Sequence, residues 1–395
     1  MAEEKNLLQS SENPPAQPTY IFRGHTAQIH AVHFFRRNTR LLTGDANGWA
    51  VLWKISSKRA VAVWRPHNNT ILGVGSWDED KIITHGRDNK LHVWQLREED
   101  EKEFSKTLPI DDGTGFAEHK QPWLLHTLLV NALNFCSFGK VPVPKDGMRG
   151  LSAEGILLGT PGVPDGSVVV TSLPSEDRVA TIPAPRDFPN AGMVMAIGLV
   201  VVSTSKTSSA GDLLVVAGYE SGHACVWSQP SSKASASTQW QCVYSAKSHS
   251  QPVLSLGIAA TLGVFYTSGA DATIARHSLD PKRGLDTKTL QTKHAGQQGL
   301  TVRDDGRVFA TAGWDGRMRV YSTKGFKELA VLKWHKEGCY AIAFADVISH
   351  ESGGESDVLA QRQMTAAEKR DEKARTTHWL AAGSKDGKVS LWDIY

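Results

Sequence analysis

The segment that decides the fold is LLTGDANGWAVLW at residues 41–53, in which a short turn is followed by a short strand. Six further segments repeat this layout in the same register, each with a turn residue six positions before a residue that ends a strand. The seven pairs are Asn47/Trp53, Asp88/Trp94, Asp165/Thr171, Ser221/Trp227, Asp271/His277, Asp315/Tyr321 and Asp386/Trp392. One unit repeated in this way predicts a repeat architecture, and it directs the search for function to surfaces.

Each repeat contains several short stretches in which apolar and polar residues alternate. In the first repeat these stretches are IHAVHFF at 29–35, then RLLTG, AVLWKI and RAVAVW. A period of two, rich in Val, Ile, Leu and Trp, predicts sheet rather than helix. The Asn-Gly and Asp-Gly pairs between the stretches supply the left-handed conformations that tight hairpins require. Four strands in each of seven units predict an all-β, seven-bladed β-propeller.

The two ends of the chain are predicted to close the ring. The chain enters the repeats with a lone strand, PTYIFRGH at 18–25, and stops on the third strand of the last repeat, KVSLWDIY. Pairing the first segment into the last blade supplies the missing fourth strand and removes an exposed sheet edge. We expect residues 20–395 to form a single domain, preceded by a polar, disordered leader at 1–19.

The composition is that of an ordinary globular protein. Hydrophobic residues make up 40% and charged residues 22% of the 395 residues, and the formal net charge is +3. Such a small charge does not favour direct binding to nucleic acid or to a membrane surface. No apolar stretch reaches the length of about 20 residues that spans a bilayer. We therefore expect an intracellular, soluble protein.

No catalytic or metal-binding motif stands out from the repeats. The four cysteines lie far apart and form no CxxC pair, so we expect free thiols rather than a zinc site. The sequence contains no GxxxxGK[ST], no HExxH and no GxSxG motif. We predict a protein that is not an enzyme and has no cofactor and no metal, although propellers can assemble active sites from residues distant in sequence.

The repeats resemble those of the WD-repeat family. RGHTAQIHAVHFF followed by LLTGDANGWAVLW has the Gly-His and the terminal Trp of a WD repeat, and the last repeat carries Trp392-Asp393 itself. In that family a His before the first strand, a Ser or Thr on the second, a turn Asp and a strand Trp form a hydrogen-bonded tetrad. The resemblance implies these sets: His25, Thr43, Asn47 and Trp53; His67, Thr84, Asp88 and Trp94; His249, Thr267 and Asp271 with His277; His294, Thr311 and Asp315 with Tyr321; and His335, Asp386 and Trp392, with Ala382 where the hydroxyl should be.

These tetrads are expected to stabilise the fold rather than to catalyse. The carboxylate accepts hydrogen bonds from backbone N–H groups of its turn and from the imidazole. The imidazole also contacts the Ser or Thr hydroxyl, and the indole N–H completes the chain of hydrogen bonds. Every buried polar group in such a chain is satisfied. The third and fourth repeats are degenerate, because Thr171 replaces Trp and Ser221 replaces Asp.

The long links between strands are predicted to lie on one face of the propeller. We call the four strands of each blade a to d in chain order. In an antiparallel blade the a–b and c–d connections lie at one end, and the b–c turn and the d–a link to the next blade lie at the other. The long segments at the first end are 97–121, 139–154, 203–212, 229–238, 280–288 and 347–377. Loops of this length are usually either functional or disordered. We expect this insertion face to contact a partner, and its residues 355–375 form either a charged helix or a solvated tether.

The opposite, tight face has its own candidate contacts. Trp49, Arg87 and Trp314 lie in b–c turns that do not need a large side chain, and exposed Trp and Arg are typical interface anchors. For Trp49 the alternative is packing between blades, and for Arg87 it is a solvated turn. Arg36, Arg37, Arg40 and Trp77 are assigned to the same face.

A narrower resemblance covers nearly the whole chain. YIFRGHTAQIHAVHFF, LLTGDANGWAVLWKI, LLVNALNFCSF at 128–138 and the ending SLWDIY are similar to the fungal ASTRA-associated WD-repeat subunits and their animal relative, the G-protein β-subunit-like protein. The resemblance implies a monomeric scaffold within a nuclear hetero-complex, with ASTRA components and kinase co-chaperones as partners. It also implies roles in chromatin remodelling and in maturation of phosphatidylinositol-3-kinase-related kinases.

Two other functions remain open at this point. The chain could be a WD-repeat substrate adaptor or a G-protein-β-like signalling subunit, but its leader does not supply the coiled-coil helix of a true Gβ. It could also read histone tails or nucleic acid through the tight face. A basic, aromatic-lined central mouth would favour that reading.

Overall fold

Seven four-stranded antiparallel sheets make up the fold, and they coincide with the seven repeats. The computed structural model describes residues 16–112, 119–133, 135–144, 152–185, 188, 190–202, 211–229, 240–280, 287–348 and 364–394. Most of the predicted leader at 1–19 and part of each predicted insertion lie outside these residues. The prediction of a seven-bladed β-propeller is confirmed.

The strands follow one another in chain order, and the first strand of each blade lies nearest the axis, where it contacts the first strands of neighbouring blades. The chain begins with β1 (Tyr20–Arg23). Blades 1 to 3 contain β2 (Ile29–Phe35), β3 (Arg40–Asp45), β4 (Ala50–Lys54) and β5 (Arg59–Trp64); β6 (Ile71–Trp77), β7 (Lys81–Gly86), β8 (Lys90–Gln95) and β9 (Trp123–Leu129); β10 (Gly139–Pro142), β11 (Ile156–Pro161), β12 (Val168–Leu173) and β13 (Asp177–Ile182).

Blades 4 to 6 repeat the same order further along the chain. They contain β14 (Val194–Val202), β15 (Asp212–Tyr219), β16 (His223–Ser228) and β17 (Gln241–Lys247); β18 (Val253–Ala259), β19 (Val264–Gly269), β20 (Thr273–Ser278) and β21 (Lys288–Gln291); β22 (Gln297–Val302), β23 (Val308–Gly313), β24 (Arg317–Ser322) and β25 (Glu328–Lys333). Blade 7 contains β26 (Cys339–Phe344), β27 (Trp379–Ser384), β28 (Lys388–Asp393) and, as its outer strand, β1.

Strand β1 closes the ring as the sequence predicts. It pairs antiparallel with β28, with Tyr20 opposite Leu391 and Arg23 opposite Lys388. Phe22 is buried against Trp53 of blade 1, at a ring distance of 5.0 Å. The first strand therefore bonds to blade 7 through its backbone and packs on blade 1 through its side chain, and this joins the two ends of the chain.

The core lies between the blades. Among the described residues, the buried apolar side chains form seven clusters, one at each junction between neighbouring blades. The turns bring the blades into close contact as well. Gly48 has a φ of 83°, and a Cβ at this position would lie 2.0 Å from the carbonyl oxygen of His67 in the link to blade 2. Only glycine fits both the turn and the contact.

The predicted insertion at 347–377 contains the one α-helix of the described residues, α1 (Ala366–Thr376). Thr365 and Glu368 form a capping box at its start, which satisfies two backbone N–H groups. The end of the helix is fixed to the propeller, because the indole N–H of Trp379 donates to the carbonyl of Ala374 at 2.9 Å and Asn38 Nδ2 donates to the carbonyl of Arg375 at 3.0 Å. The helical alternative is therefore the observed one for residues 366–376.

The start of the insertion at 97–121 packs on blade 1. Its 3₁₀ helix (Glu99–Glu103) places the carboxylate of Glu101 between the guanidinium groups of Arg36 and Arg40. Arg40 Nε lies 2.8 Å from Glu101, and both arginines are buried. Arg36 and Arg40 begin and end the β2–β3 link, so the assignment of this cluster to the tight face is wrong. Trp77, at the end of β6, is likewise on the insertion face.

Candidate protein-interaction surfaces

The tetrad of blade 2 forms one continuous chain of hydrogen bonds. Trp94 Nε1 donates to Thr84 Oγ1 at 2.9 Å. His67 lies 2.9 Å from Thr84 Oγ1 through Nε2 and 2.9 Å from Asp88 through Nδ1. With a neutral imidazole, the hydroxyl donates to Nε2 and the Nδ1–H donates to the carboxylate. Each polar atom in the chain has a partner, which is the structural arrangement that the sequence predicts.

The carboxylate of this tetrad is held in its ionised form. Burial by itself would raise the pKa of Asp88, but the hydrogen bond from His67 and the backbone N–H of Asn68 bring that pKa below its usual range. The pKa of Asp271 and that of Asp386 are lowered in the same way, by His249 and His335 respectively. A carboxylate stabilised by so many donors is a poor proton acceptor for a substrate, so these acids are suited to structure.

Blade 1 corrects one member of its predicted set. The side chain that faces His25 is Asp45, at 2.7 Å from Nδ1, and not Asn47. Asp45 Oδ1 also accepts from the backbone N–H groups of Asn47 at 2.9 Å and Trp49 at 3.0 Å. A carboxylate at the end of β3 can reach both the imidazole and the turn, whereas Asn47 contributes only its backbone. Thr43 and Trp53 take their predicted places, with Trp53 Nε1 3.0 Å from Thr43 Oγ1.

In blade 5 a histidine takes the place of the tryptophan. His249 contacts Asp271 and Thr267 at 2.9 Å each, and His277 Nε2 lies 2.9 Å from the same hydroxyl of Thr267. The other nitrogen of His277 lies 3.0 Å from the hydroxyl of Tyr244. Burial, followed by the nearby His249, lowers the pKa of His277 to about 3, so this imidazole is neutral at physiological pH.

Blade 6 departs from its predicted set. His294 lies 4.0 Å from Asp315, too far for a hydrogen bond. The buried guanidinium of Arg319 donates to Asp315 instead, at 2.6 and 3.3 Å through its two terminal nitrogens. Arg319 lies directly opposite Thr311, so it reaches the turn from the neighbouring strand. Thr311 and Tyr321 are buried as part of the same blade.

Blade 7 contains the hydroxyl that its sequence appeared to lack. Ala382 is the residue opposite Ser390 in the β27–β28 pair. Ser390 Oγ lies 2.9 Å from His335 Nε2 and accepts from Trp392 Nε1 at 2.8 Å, while His335 Nδ1 lies 3.2 Å from Asp386. In this blade the hydroxyl is therefore supplied by β28 instead of β27, from the residue directly opposite the expected position, and the tetrad is complete.

The degenerate third and fourth repeats contain no such chain among the described residues. Asp165 is exposed, and its nearest recorded partner, Asn131 Nδ2, is 3.5 Å away. Ser221 Oγ lies 2.9 Å from His223 Nδ1, within its own turn. No group of three His, Cys, Asp or Glu side chains in the described part of the chain is placed to hold a metal ion. None of the four cysteines, all of which lie in the described part of the chain, forms a disulfide bond.

The three predicted partner contacts on the tight face differ in exposure. Trp49 is buried, packed edge-on against His119 at a ring distance of 4.9 Å, so it follows the packing alternative and cannot anchor a partner. Arg87 is exposed and lies over the ring of Phe135 at 4.3 Å. Trp314 is 47% exposed and donates to Gln298 Oε1 at 2.8 Å. Arg87 and Trp314 are thus available on the tight face.

The mouth of the central channel is lined by a mixture of aliphatic, aromatic and uncharged polar side chains. Six of the seven innermost strands carry a β-bulge at their second residue, which turns that side chain toward the mouth. These residues are His30, Leu72, Met195, Leu254, Gln298 and Tyr340, and they line a cavity of about 300 Å³. His30 stacks on Tyr340 at 5.3 Å. No Lys, Arg, Asp or Glu lines this cavity, so the described channel lacks the basic mouth that a nucleic-acid reader would need.

The exposed apolar side chains concentrate on blades 2 and 3. Trp123 (73% exposed) and Leu124 begin β9, and Leu129 (82% exposed) ends it. Further exposed apolar residues, Leu133, Phe135 and Val163, lie beyond the Leu129 end of this strand, toward the tight face. We call these six exposed residues the blade 2 strip: Trp123, Leu124, Leu129, Leu133, Phe135 and Val163. This surface was not among the predicted partner contacts. Its signal in the sequence is that residues 121–139 contain no Asp, Glu, Lys or Arg.

Comparison with known proteins identifies the family. The family model described as "WD domain, G-beta repeat" matches residues 16–54, 287–322 and 374–393. The chain is 43% identical to ASTRA-associated protein 1 of Aspergillus niger, with 97% of this chain and 98% of the relative covered. It is 45% identical to that of Verticillium alfalfae, with 96% and 93% covered, and 30% identical to that of Schizosaccharomyces pombe, with 96% and 99% covered.

The chain belongs to the ASTRA-associated protein 1 family. The narrower resemblance predicted from the sequence is therefore confirmed, and so is its assignment to the WD-repeat proteins. WD-repeat propellers are typically non-catalytic interaction scaffolds, and the names of these relatives describe no enzyme. In the described part of the chain, no helix has the length and apolar character needed to cross a bilayer.

Proposed function

We propose that the protein is a non-catalytic scaffold subunit of a nuclear ASTRA complex. In this role it takes part in chromatin remodelling and, with kinase co-chaperones, in the maturation of phosphatidylinositol-3-kinase-related kinases. The observation that carries the proposal is similarity to ASTRA-associated protein 1 over 96–97% of the chain. The tetrads support a non-catalytic role, because their acids and imidazoles bond to one another and to their turns.

The test is to recover the complex with the full chain as bait. The protein carries an affinity tag, is expressed at its native level in a fungal host, and its co-purifying proteins are identified by mass spectrometry. We expect the other ASTRA subunits in stoichiometric amounts. A bait with Phe22→Asp, which places a charge in the buried seam, serves as the unfolded control. Recovery of an unrelated ligase or G-protein assembly by the folded bait would instead support one of the alternative functions.

We also propose that the insertion face contacts one of these subunits. Folding does not require its long links, since the hairpins at the opposite end are short. Helix α1 supports the proposal, because its end is fixed by Trp379 and Asn38 while Lys369 and Arg370 remain exposed.

The matched test reverses these two charges on α1. The double change Lys369→Glu and Arg370→Glu leaves the capping box and the anchored end in place, so we expect an unchanged unfolding midpoint and reduced recovery of one subunit. Arg317→Glu is the control on the tight face, where an exposed arginine begins β24. Equal recovery with both variants would show that α1 is not a contact.

A further inference from the structure

The outer edges of the seven blades differ in charge. Six of the seven outer strands carry at least one Lys, Arg, Asp or Glu: β1, β5, β13, β17, β21 and β25. Charged residues on an edge strand discourage pairing with another chain. Strand β9, WLLHTLL, has none, and its His126 lies 2.7 Å from Glu176 of blade 3. Blade 2 therefore lacks the protection that the other blades have.

The neighbouring edge shows how an outer strand of this protein is covered. Val63 of β5 lies opposite Val51, and its outward N–H donates to the carbonyl of Ser105 at 2.9 Å. Its outward carbonyl lies 3.0 Å from His119 Nδ1. Ser105 and His119 both belong to the segment between β8 and β9. The described residues of this segment, which begins in blade 2, thus cover the edge of blade 1 and do not bond to the edge of their own blade.

The same register position in blade 2 is Thr127. It lies opposite His92, the residue equivalent to Val51 in the next repeat, so its backbone N–H and carbonyl also point outward. No other described residue bonds to them. Above and below this position, Leu124 and Leu129 expose large apolar side chains. An unpaired edge flanked by exposed apolar side chains is the arrangement that accepts an added strand.

We propose that β9 is a docking edge for an extended segment of a partner protein, which adds a fifth strand to blade 2. The proposal rests on the proposed scaffold function and names the surface that one partner uses. The segment carries apolar side chains at alternate positions, which pack on Trp123, Leu124 and Leu129. It continues over the rim onto Leu133 and Phe135, where Asn131 Nδ2 fixes the underlying loop to Gly162 at 2.7 Å.

Charge and area favour a flexible partner segment over a second copy of this chain. Exposed Arg87 and Lys90 stand at the Leu129 end of the strip, so the segment carries an acidic residue there. Two rigid propellers meeting along seven residues would touch over a line of about 23 Å. Such a contact falls short of the roughly 800 Å² per partner that stable complexes bury. A flexible segment can follow both the edge and the rim.

The test compares matched lysine substitutions at two outer edges. Leu124→Lys and Leu129→Lys give β9 the charge that the other outer strands have. The control is Leu329→Lys on the already charged β25, and it is matched in exposure because Leu124 is 45% and Leu329 is 41% exposed. Full-length variants are used as bait in the fungal host, and the unfolding midpoint of each is measured. We expect unchanged midpoints, and recovery of one subunit about tenfold lower with the β9 variants than with the control.

Hydrogen exchange identifies what occupies the edge. The outward amides of Thr127 and Leu129 should exchange fast in the isolated chain and at least tenfold more slowly in the purified complex. Slow exchange already in the isolated monomer would mean that a segment of this chain covers β9, and a concentration-dependent dimer abolished by Leu129→Lys would mean a second copy. Either result overturns the proposal, as does equal recovery with the β9 and control variants or unprotected β9 amides in the complex.

The outcomes separate this inference from the proposed function. If the wild-type bait recovers a defined assembly other than ASTRA, the proposed function fails, and the lysine comparison and amide exchange on that assembly still decide the β9 proposal. If the wild-type bait recovers ASTRA subunits and the β9 variants do so equally, only the β9 proposal fails. A folded wild-type bait that recovers no partner overturns both.

Discussion

Replacing Ser390 by alanine removes the hydroxyl that completes the tetrad of blade 7. Two buried polar atoms lose their partner: Trp392 Nε1, which lies 2.8 Å from Ser390 Oγ in the wild-type protein, and His335 Nε2, which lies 2.9 Å from it. Leaving one buried polar group unpaired costs about 1–3 kcal/mol, so with two such groups we expect Ser390→Ala to lower the free energy of unfolding by about 2–6 kcal/mol. Thr84→Ala, which removes the equivalent hydroxyl of blade 2, should cost a similar amount.

The structure also predicts how this loss is repaired. Ala382 lies opposite Ser390 and occupies the position that Thr43, Thr84 and Thr267 hold in their blades. Ala382→Ser in the Ser390→Ala background therefore places a hydroxyl where the other tetrads have it. We expect the double variant to recover most of the stability, although Ala382→Ser alone gains nothing, because its hydroxyl then enters a satisfied buried site.

The assay is a double-mutant cycle on urea midpoints, with the slope of the transition checked for constancy. A coupling energy above about 1 kcal/mol between positions 382 and 390 is expected for residues that share one hydrogen-bond network. Two results would refute the reasoning. One is a cost below about 0.5 kcal/mol for Ser390→Ala, which is the range of ordinary surface changes. The other is additive behaviour of the two substitutions.

Three further predictions follow from the same contacts. Deleting residues 1–25 removes β1 and Phe22 and exposes the edge of β28, so the protein should aggregate, whereas deleting 1–15 should not change its solubility; light scattering checks both. Asp88→Ala leaves His67 and the N–H of Asn68 without their acceptor and should cost about 1–3 kcal/mol in the free energy of unfolding, with partner recovery by the folded fraction unchanged. His277 has a pKa of about 3 in the folded state, below its value of about 6.5 in the unfolded state. As pH falls from about 6.5 toward 3, the unfolded state therefore binds a proton that the folded state does not, and the free energy of unfolding decreases. His277→Gln should flatten the stability profile by up to about 1.4 kcal/mol per pH unit in that range, and an unchanged slope in urea titrations would contradict this.

The sequence predicted the fold because turns and alternation act locally. Asn47-Gly48 and Asp386-Gly387 define hairpins, and each hairpin fixes the register of its two strands. The lone strand Tyr20–Arg23 could be placed in blade 7 because a ring of seven repeats leaves only that position unfilled. Seven similar units give the same answer seven times, so an error in one of them does not change the architecture.

The tetrads could be predicted only where the repeat keeps its linear pattern. Asn47 fits that pattern by spacing, but the side chain that reaches His25 is Asp45, because distance in the folded turn decides the contact. Ser390 and Arg319 escaped prediction for another reason. Ser390 lies eight residues from the predicted hydroxyl position, Ala382, but directly across a strand pair from it, and Arg319 lies in the same way across from Thr311. A linear pattern does not show that such positions are neighbours.

The cross-strand pair explains how the altered repeats of blades 6 and 7 still provide hydrogen-bond partners for their turn acids. The hydroxyl stands on the second strand in blades 1, 2 and 5, and on the third strand in blade 7. In blade 6 the third strand supplies Arg319, which bonds to the turn acid directly. A side chain on either the second or the third strand can reach the turn. The blade therefore requires that its buried acid has a hydrogen-bond donor, and it does not require one residue type at one position.

Blades 3 and 4 depart from this rule in their described residues, and blade 3 is the neighbour of the charge-free outer edge of blade 2. Blade 3 has no tetrad in its described part, and the link that leads into it carries Leu133 and Phe135 beside the charge-free strand β9. Places where a sequence breaks its own local rules without a structural gain are candidates for function. Stability should therefore depend on the bonded interiors of the regular blades, and binding on this irregular junction. Ser390→Ala should weaken the fold without changing which subunit the folded protein recovers, and Leu129→Lys should change recovery without weakening the fold.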